Sequence, residues 1–225
     1  MTAEPLGSPA GGFAGPYDRA VQRRHGSLTL RGFDGELLGT LDVSRFCAAA
    51  DATDLDALAR TRGTVLDLGC GPGRLVEAAL RAGRPALGVD TSRTAVAAAR
   101  AGGLPVLRRD VFGPLPDGWD TVLLLDGNLG IGGRPADLLG RCRELLAPGG
   151  RVLVECSPDP TVDRSLDVLL EDDGGRSTLF PWAVVGAPAL SRHARDAGLR
   201  VVRSWNGAGR SFALLSPGSR PDRGR

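Results

Sequence analysis

The sequence predicts an α/β fold built on a doubly wound, mostly parallel sheet, and three features indicate it. Short apolar runs alternate with helical patterns from Thr64 to Cys156, which is typical of a parallel sheet with helices on both faces. The first apolar run leads into the glycine-rich loop 69–73. Two later runs flank "NGAG" (206–209) and predict an antiparallel pair of strands.

Each element of the core is predicted by its own pattern. Strands are expected at 64–69, 85–90, 104–110, 119–126 and 151–156, with the C-terminal pair at 199–205 and 210–216. Helices are expected at 74–83, 92–103, 134–150 and 188–197. Ser92 is a suitable N-cap and Gly102 a suitable C-cap for the second of these helices. The third helix ends at Pro148-Gly149-Gly150, which cannot continue it.

The remaining segments suggest one domain, 17–215, with two additions to its core. An N-terminal extension (17–62) holds a hairpin around Asp34-Gly35 and a short helix with Leu55, Leu58 and Ala59 on one face. The core occupies 63–157 and the C-terminal helix and strand pair 188–215. Between them, the irregular segment 158–187 is a candidate substrate-side lid. The Gly- and Pro-rich termini, 1–16 and 216–225, are expected to be disordered.

Composition excludes several classes of function. The net charge of the 225 residues is +2, so no basic field recruits nucleic acid. All 28 basic residues are arginine, which excludes lysine-dependent phosphate loops and Schiff-base chemistry. No apolar run approaches a membrane span of roughly 20 residues, and "MTAEPLGSPAGGFAG" lacks a leader pattern. We therefore expect a cytoplasmic protein with no membrane or nucleic-acid partner, a monomer or weak homo-oligomer.

The four cysteines indicate neither a zinc site nor a redox pair. Cys47, Cys70, Cys142 and Cys156 have neither zinc-ligand nor CxxC spacing. We expect them to be small core residues of a protein in a reducing compartment.

Four acids end four successive strands, and they define the expected ligand. Carboxyl ends of parallel strands meet at the edge where such sheets bind ligands, and these residues are Asp67, Asp90, Asp110 and Asp126. The loop has the spacing GxGxG, with Arg74 where a dinucleotide site has its third glycine. An acid beside the loop disfavours a pyrophosphate and favours a cation. The pattern suggests a nucleoside with a positively charged, amino-acid-like part.

The same residues resemble a known family. "VLDLGCGPG", "GVD", "RRDVF", "WDTVLLLDG" and "LLAPGGRVLVE" are similar to the motif series of class I S-adenosylmethionine-dependent methyltransferases. The resemblance is strong over 64–156 and extends to 188–215 in element order alone. It implies a seven-stranded, Rossmann-like sheet with its last strand antiparallel. It also implies methyl transfer from S-adenosylmethionine by direct displacement.

The resemblance also implies which positions hold the cofactor. The methionine part would lie along the glycine loop, the ribose at the second acid and the adenine at the third, with the sulfonium facing the end of the fourth strand. In that order, the residues are Asp67, Gly69, Cys70, Gly71 and Gly73; Asp90 and Thr91; Asp110 and Val111; and Asp126 and Gly127.

The acceptor would lie beside "DGNLGIGG" (126–133). This stretch lacks the prolines and the aromatic of (D/N)PP(Y/F) motifs, which favours a small-molecule acceptor over a nucleic acid. Asp126 and Asn128 are the candidate catalytic residues, although a general base is needed only for an acceptor that is protonated at rest. The acid–asparagine pair of metal-dependent relatives is missing after the fifth strand, so no metal is expected. Phe180 and Trp182 suggest an aromatic lid.

Two alternatives remain open at this stage. A protein of this fold could bind S-adenosylmethionine without catalysis, as a sensor or scaffold. A nicotinamide-dependent oxidoreductase is disfavoured by the GxGxG spacing and by Arg74.

Overall fold

The computed structural model describes residues 15–218; residues 1–14 and 219–225, in the termini predicted to be disordered, lie outside it. The strands are β1 (Ser27–Gly32), β2 (Leu37–Asp42), β3 (Val65–Leu68), β4 (Ala86–Asp90), β5 (Val106–Arg108), β6 (Trp119–Leu124), β7 (Leu146–Cys156), β8 (Asp163–Asp172), β9 (Gly175–Arg176), β10 (Phe180–Val185), β11 (Leu199–Gly207) and β12 (Arg210–Pro217). The helices are α1 (Pro16–Arg23), α2 (Val43–Cys47), α3 (Ala52–Ala59), α4 (Arg74–Arg81), α5 (Arg93–Ala101), α6 (Pro135–Leu145) and α7 (Ala187–Asp196), with a 3-10 segment at Asn128–Gly133.

The larger sheet has seven strands in the order β11-β12-β7-β6-β3-β4-β5. Strands β3 to β7 pair in parallel, while β12 is antiparallel to both β7 and β11. The predicted fold class is therefore confirmed, including the C-terminal antiparallel pair. Pro217, which the sequence assigned to the tail, also belongs to β12.

The central strands are apolar throughout because both faces of the large sheet are covered. In β6, Val122 and Leu124 belong to one core, which also contains side chains of α6 and α7. Leu123, between them, points into the opposite core with side chains of α3, α4 and α5. The period-2 alternation of a strand thus divides one continuous apolar run between two helical layers.

The segment 158–187 is regular, contrary to the expectation that it would be irregular. It contributes β8, β9 and β10 to a second sheet in the order β10-β8-β1-β2, with β9 paired to β8. The predicted hairpin supplies β1 and β2, and Gly35 gives its turn a positive φ of 88°. The extension and the candidate lid are therefore parts of a single sheet.

The smaller sheet packs against α1 and α5 through a third apolar core. Leu28 of β1, Val168 of β8 and Phe180 of β10 are buried there together with Val21 of α1 and Ala95 of α5. This contact holds the smaller sheet over the side of the large sheet where β4 leads into α5. The position matters because that edge carries the acids identified in the sequence.

Helix α3 buries a face that differs from the expected one. Leu55 is 50% exposed and Ala59 is also exposed, whereas Asp54 is completely buried beside Leu58. Asp54 forms a capping box with Asp51, in which each side chain accepts a hydrogen bond from the other residue's backbone N–H, at 2.8 and 3.0 Å. A carboxylate thus occupies a position that periodicity assigned to an apolar side chain.

Among residues 15–218, no helix is long and apolar enough to cross a membrane. Cys70, Cys142 and Cys156 are buried and Cys47 is half-buried, all as free thiols, in agreement with the expected core role.

Replacing Leu28 by alanine should lower the free energy of unfolding by about 2–4 kcal/mol, because its buried side chain joins β1 to α1 and β8. Urea denaturation of the purified variant measures the effect. Leu37→Ala is the matched control in the paired strand, where the side chain is 60% exposed and a change below about 0.5 kcal/mol is expected. Equal effects of both variants would show that the third core does not stabilise the sheet.

Candidate active site

A large cavity lies between the carboxyl ends of the parallel strands and the smaller sheet. It encloses about 980 Å³ of empty space, including its open mouth. Its walls contain Tyr17, Leu41, Phe46, Asp67, Gly69, Cys70, Gly71, Arg74, Leu75, Asp90, Thr91, Ser92, Asp110, Val111, Asp126, Asn128, Ile131, Leu170 and Trp182. All site residues named from the sequence line this cavity except Gly73 and Gly127. These two instead take positive φ angles, Gly73 where α4 begins and Gly127 just before the 3-10 segment.

The glycine loop follows β3 and brings backbone to the cavity wall. Gly69 and Gly71 have φ angles of 75° and 53°, which L side chains rarely adopt. A Cβ atom at Gly69 would lie 2.7 Å from the amide nitrogen of Asn128, and one at Gly71 would lie 2.9 Å from the hydroxyl of Tyr17. A side chain at either position would collide with Asn128 or Tyr17, so only glycine lets these two residues pack against the loop backbone.

Backbone amides orient two of the four acids. The carboxylate of Asp90 accepts hydrogen bonds from the N–H groups of Gly71 and Ser92, each at 2.8 Å. Burial raises the pKa of Asp90, and these backbone hydrogen bonds oppose that shift. Asp110 accepts a hydrogen bond from the N–H of Phe112 at 3.0 Å. Both carboxylates are thus held at the ends of their strands, facing the cavity.

Asp67 is the deepest of the four acids, with only 2% of its surface exposed. Burial raises its pKa to about 8, and the neighbouring carboxylates of Asp126 and Asp90 add to the shift. Burial therefore favours the neutral carboxylic acid form of Asp67.

Asp126 has the opposite environment, because guanidinium groups surround it. Its carboxylate forms ion pairs with Arg45 of α2 at 2.5 Å and with Arg74 of α4. Its backbone N–H donates to Glu155 at 2.8 Å. Asp126 also has a left-handed φ of 56°, so its backbone occupies a sparsely populated conformation that these contacts hold.

The same arginines continue into a larger charged cluster beside the cavity. Arg74, only 3% exposed, also pairs with buried Asp54. Arg210 of β12 contacts Asp54 and Glu155, each at 2.7 Å. We call Asp54, Asp126, Glu155, Arg45, Arg74 and Arg210 the ion cluster. With three carboxylates and three guanidiniums it is neutral, which limits the cost of its burial.

Asn128 connects the loop after β6 to the glycine loop. Its side-chain amide donates hydrogen bonds to the carbonyls of Leu68 and Gly69, at 2.9 and 3.0 Å. Its side chain therefore holds the glycine loop in place while also lining the cavity.

The opposite wall is apolar and comes from the smaller sheet and its neighbours. Leu41, Phe46, Leu170 and Trp182 form this wall, and Tyr17 of α1 closes it towards Gly71. Burial raises the pKa of the Tyr17 phenol well above its usual value, so it stays protonated. Only Trp182 was identified from the sequence as a wall residue, because the other four carry no motif that marks them.

Phe180, the other aromatic residue of the expected lid, does not line the cavity. Phe180 is buried in the third core, where its ring meets that of Trp182 edge-on, with centroids 6.0 Å apart. The Trp182 ring fills the space beside Gly130, where an added Cβ would lie 2.6 Å from it.

The two histidines of the chain, His25 and His193, do not line this cavity. His193 pairs with Asp163 at 2.8 Å, and neither residue lines the cavity wall. Within the described range 15–218, no group of three or more His, Cys, Asp or Glu side chains is arranged so that it could hold a metal ion.

Comparison with known proteins defines the class. The family model for the methyltransferase domain matches residues 42–204, so the chain belongs to the methyltransferase-domain family. The resemblance to class I S-adenosylmethionine-dependent methyltransferases is thereby confirmed.

Individual relatives agree with this assignment. The ubiquinone biosynthesis O-methyltransferase of Methylococcus capsulatus is 33% identical over 155 residues, which span 61% of this chain and 63% of that protein. An S-adenosylmethionine-dependent methyltransferase from Bacteroides fragilis, solved with S-adenosyl-L-homocysteine, superposes with a TM-score of 0.74 at 19% identity, covering 89% of this chain and 92% of that one. The CcbJ methyltransferase of Streptomyces caelestis gives 0.58 at 21% identity, with 77% and 92% covered.

Replacing Asp54 by alanine should lower the free energy of unfolding by about 3–5 kcal/mol, because Arg74 and Arg210 lose a buried partner. Asp56→Ala, in the same helix, removes an exposed ion pair with Arg60 and should cost less than about 1 kcal/mol. Chemical denaturation of both variants measures the difference. Similar losses in both would mean that the ion cluster contributes no more than a surface pair.

Proposed function

We propose that this chain transfers a methyl group from S-adenosylmethionine to a small-molecule acceptor bound in the cavity. One observation carries the proposal: the cavity has a carboxylate-lined wall at the glycine loop and a separate apolar wall on the smaller sheet. A nucleoside cofactor and an acceptor could therefore lie face to face within one enclosed space. The O-methyltransferase name of the curated relative supports a small-molecule acceptor.

The residues on the carboxylate side suit the cofactor. Gly69 and Gly71 line the cavity without side chains, which allows a ligand to approach the backbone closely. We assign the ribose hydroxyls to Asp90 and the adenine to Asp110 and Val111. Asp67 lies beside the methionine part. When bound, S-adenosylmethionine supplies an electrophilic methyl group.

The apolar wall suits a flat or apolar acceptor. Trp182, Phe46 and Leu170 would exclude water from the reaction and align the acceptor, and alignment is the main demand of a direct displacement. Trp182 offers an aromatic surface on which a planar ring can stack.

Asp126 and Asn128 orient groups at the junction of the two walls. Because the Asp126 carboxylate is bound by Arg45 and Arg74, we assign it an orienting role and not that of a proton acceptor. Asn128 fixes the glycine loop through two carbonyls, so its role at the acceptor would be carried by its side-chain oxygen.

Asp90→Ala should weaken binding of S-adenosylmethionine by at least about 10-fold, since loss of hydrogen bonds to a charged partner costs about 1.5–3 kcal/mol. Isothermal titration calorimetry with S-adenosylmethionine and S-adenosylhomocysteine measures this, and a thermal melt shows that the variant is folded. Asp117→Ala, an exposed aspartate before β6, is the control. Wild-type protein that binds neither ligand would overturn the proposed function.

Turnover distinguishes catalysis from binding alone. The protein is incubated with S-adenosylmethionine and a panel of phenols and amines, and formation of S-adenosylhomocysteine is measured. With an accepted substrate, Trp182→Ala should raise the acceptor KM about 10-fold by removing roughly 1–2 kcal/mol of apolar contact, and affinity for S-adenosylmethionine should stay unchanged. Trp182→Phe should restore part of the loss, and Phe33→Ala, 77% exposed, should have no effect. Protein that binds S-adenosylmethionine but forms no S-adenosylhomocysteine with any acceptor would support the non-catalytic alternative.

A further inference from the structure

Helix α2 lies on the side of the cavity that carries the acceptor wall. It directly follows β2 of the smaller sheet, and its Phe46 lines the cavity together with Leu41 of β2. Val43 is completely buried in the third core, and the carbonyl of Cys47 accepts a hydrogen bond from Arg24 at 2.7 Å. These contacts join α2 to the smaller sheet and to the end of α1.

One side chain of α2 reaches across to the other side of the cavity. The guanidinium of Arg45 donates from Nη1 to Asp126 at 2.5 Å and from Nη2 to Asp54 at 3.0 Å. Asp126 follows β6 at the carboxylate wall, and Asp54 lies on α3, whose apolar side chains pack on the large sheet. Arg45 therefore connects the element that carries Phe46 to the layer that carries the cofactor wall.

The other two arginines of the ion cluster do not make such a connection. Arg74 and Arg210 come from α4 and β12, which belong to the large sheet and its helices, and both are more deeply buried than Arg45. Both also contact the carboxylate of Asp126. Asp126 therefore keeps guanidinium partners without Arg45, and what Arg45 adds is a link between the two sides of the cavity.

We propose that Arg45 is a positioning residue for methyl transfer, which fixes the place of Phe46 and hence the separation of the acceptor wall from the cofactor wall. This inference rests on the proposed function. Arg45 itself lies outside the cavity wall, so it acts through Phe46, its neighbour in α2. A direct displacement requires the acceptor, the methyl group and the sulfur to be aligned, and a misplacement of about 1 Å can lower the rate about 100-fold.

The contacts of Arg45 also explain why arginine suits this position better than lysine. Two nitrogens of one planar guanidinium bind two carboxylates at once, which fixes the direction of the side chain. A lysine ammonium is a single charge on a flexible stem, so it could pair with Asp126 or Asp54 but would constrain α2 less. We therefore expect Arg45→Lys to retain more activity than Arg45→Ala, and less than the wild type.

The test is steady-state kinetics of the full chain with an acceptor that the wild type methylates, followed by formation of S-adenosylhomocysteine. Arg45→Ala should raise the acceptor KM and lower kcat by about 5-fold each, while calorimetry shows a change below about 3-fold in the Kd for S-adenosylmethionine. Arg81→Ala, which removes an exposed ion pair with Glu77, should behave as the wild type. A lower kcat with an unchanged acceptor KM would indicate only a loss of folded protein and would overturn the inference.

A double-mutant cycle with Phe46→Ala distinguishes positioning from general stabilisation. If Arg45 acts through Phe46, adding Arg45→Ala to Phe46→Ala should lower the acceptor kcat/KM by less than about 2-fold, although Arg45→Ala alone lowers it about 25-fold. Independent effects that multiply in the double variant would overturn this inference alone. Wild-type protein that methylates no acceptor would overturn the proposed function and this inference with it.

Amide hydrogen exchange of the ligand-free protein reports on α2 directly. Without the Arg45 bridge, exchange in residues 43–47 should be at least about 10-fold faster, while exchange in β3 and the glycine loop stays unchanged. If Arg45→Ala does not fold, Arg45→Lys carries this measurement and the kinetic one, with smaller changes in the same direction. Exchange in α2 that equals the wild-type rate in the folded variants would show that Val43 and Arg24 hold the helix without Arg45, and would overturn the inference.

Discussion

The ion pair between Arg74 and its two carboxylates, Asp54 and Asp126, is the contact on which the site depends. Arg74 is almost fully buried, and a buried guanidinium is tolerated only when it is paired. Its partners lie on α3 and after β6, while Arg45 and Arg210 extend the ion cluster to α2 and β12. Parts of the chain that are distant in sequence must therefore come together before these charges are satisfied.

This constraint shapes the backbone of the cavity. Asp126 takes a positive φ, and the strain is offset by its three guanidinium partners and by the hydrogen bond from its N–H to Glu155. The loop that follows is then placed so that Asn128 reaches the glycine loop. The ion cluster thus determines where the junction between the cofactor wall and the acceptor wall lies.

Each of the two sheets forms one wall of the cavity, and the two walls suit different ligands. The parallel sheet presents acids at its strand ends and suits a polar, cationic ligand. The smaller sheet presents Leu170 and Trp182 and suits an apolar one. The first wall follows from the topology of a doubly wound sheet, while the second comes from segments added around it. Acceptor choice could therefore change by substitutions in the smaller sheet without disturbing the cofactor side.

The four acids of the carboxylate wall also differ in how their charges are stabilised. Backbone amides or arginines stabilise the charges of Asp90, Asp110 and Asp126, whereas Asp67 is surrounded by apolar residues and other carboxylates. Burial and the neighbouring carboxylates raise the pKa of Asp67, which limits charge repulsion along this wall.

The sequence by itself determined the parallel core, the C-terminal antiparallel pair and the acids at the strand ends, because these follow from local patterns. Apolar runs, capping residues and the glycine loop report on neighbours within about a dozen residues. For this reason Asp67, Asp90, Asp110 and Asp126 could be placed at one edge from strand order alone.

Only the tertiary structure decided the rest, because the relevant partners are far apart in the chain. The smaller sheet pairs β1 with β8, which lie more than a hundred residues apart, and no local periodicity encodes that pairing. Helical periodicity predicted that Leu55, and not Asp54, would be buried. Asp54 is buried instead because Arg74 and Arg210 form ion pairs with it. Tyr17 and Phe46 line the cavity because α1 and α2 pack against distant parts of the chain. No sequence motif marks these two residues.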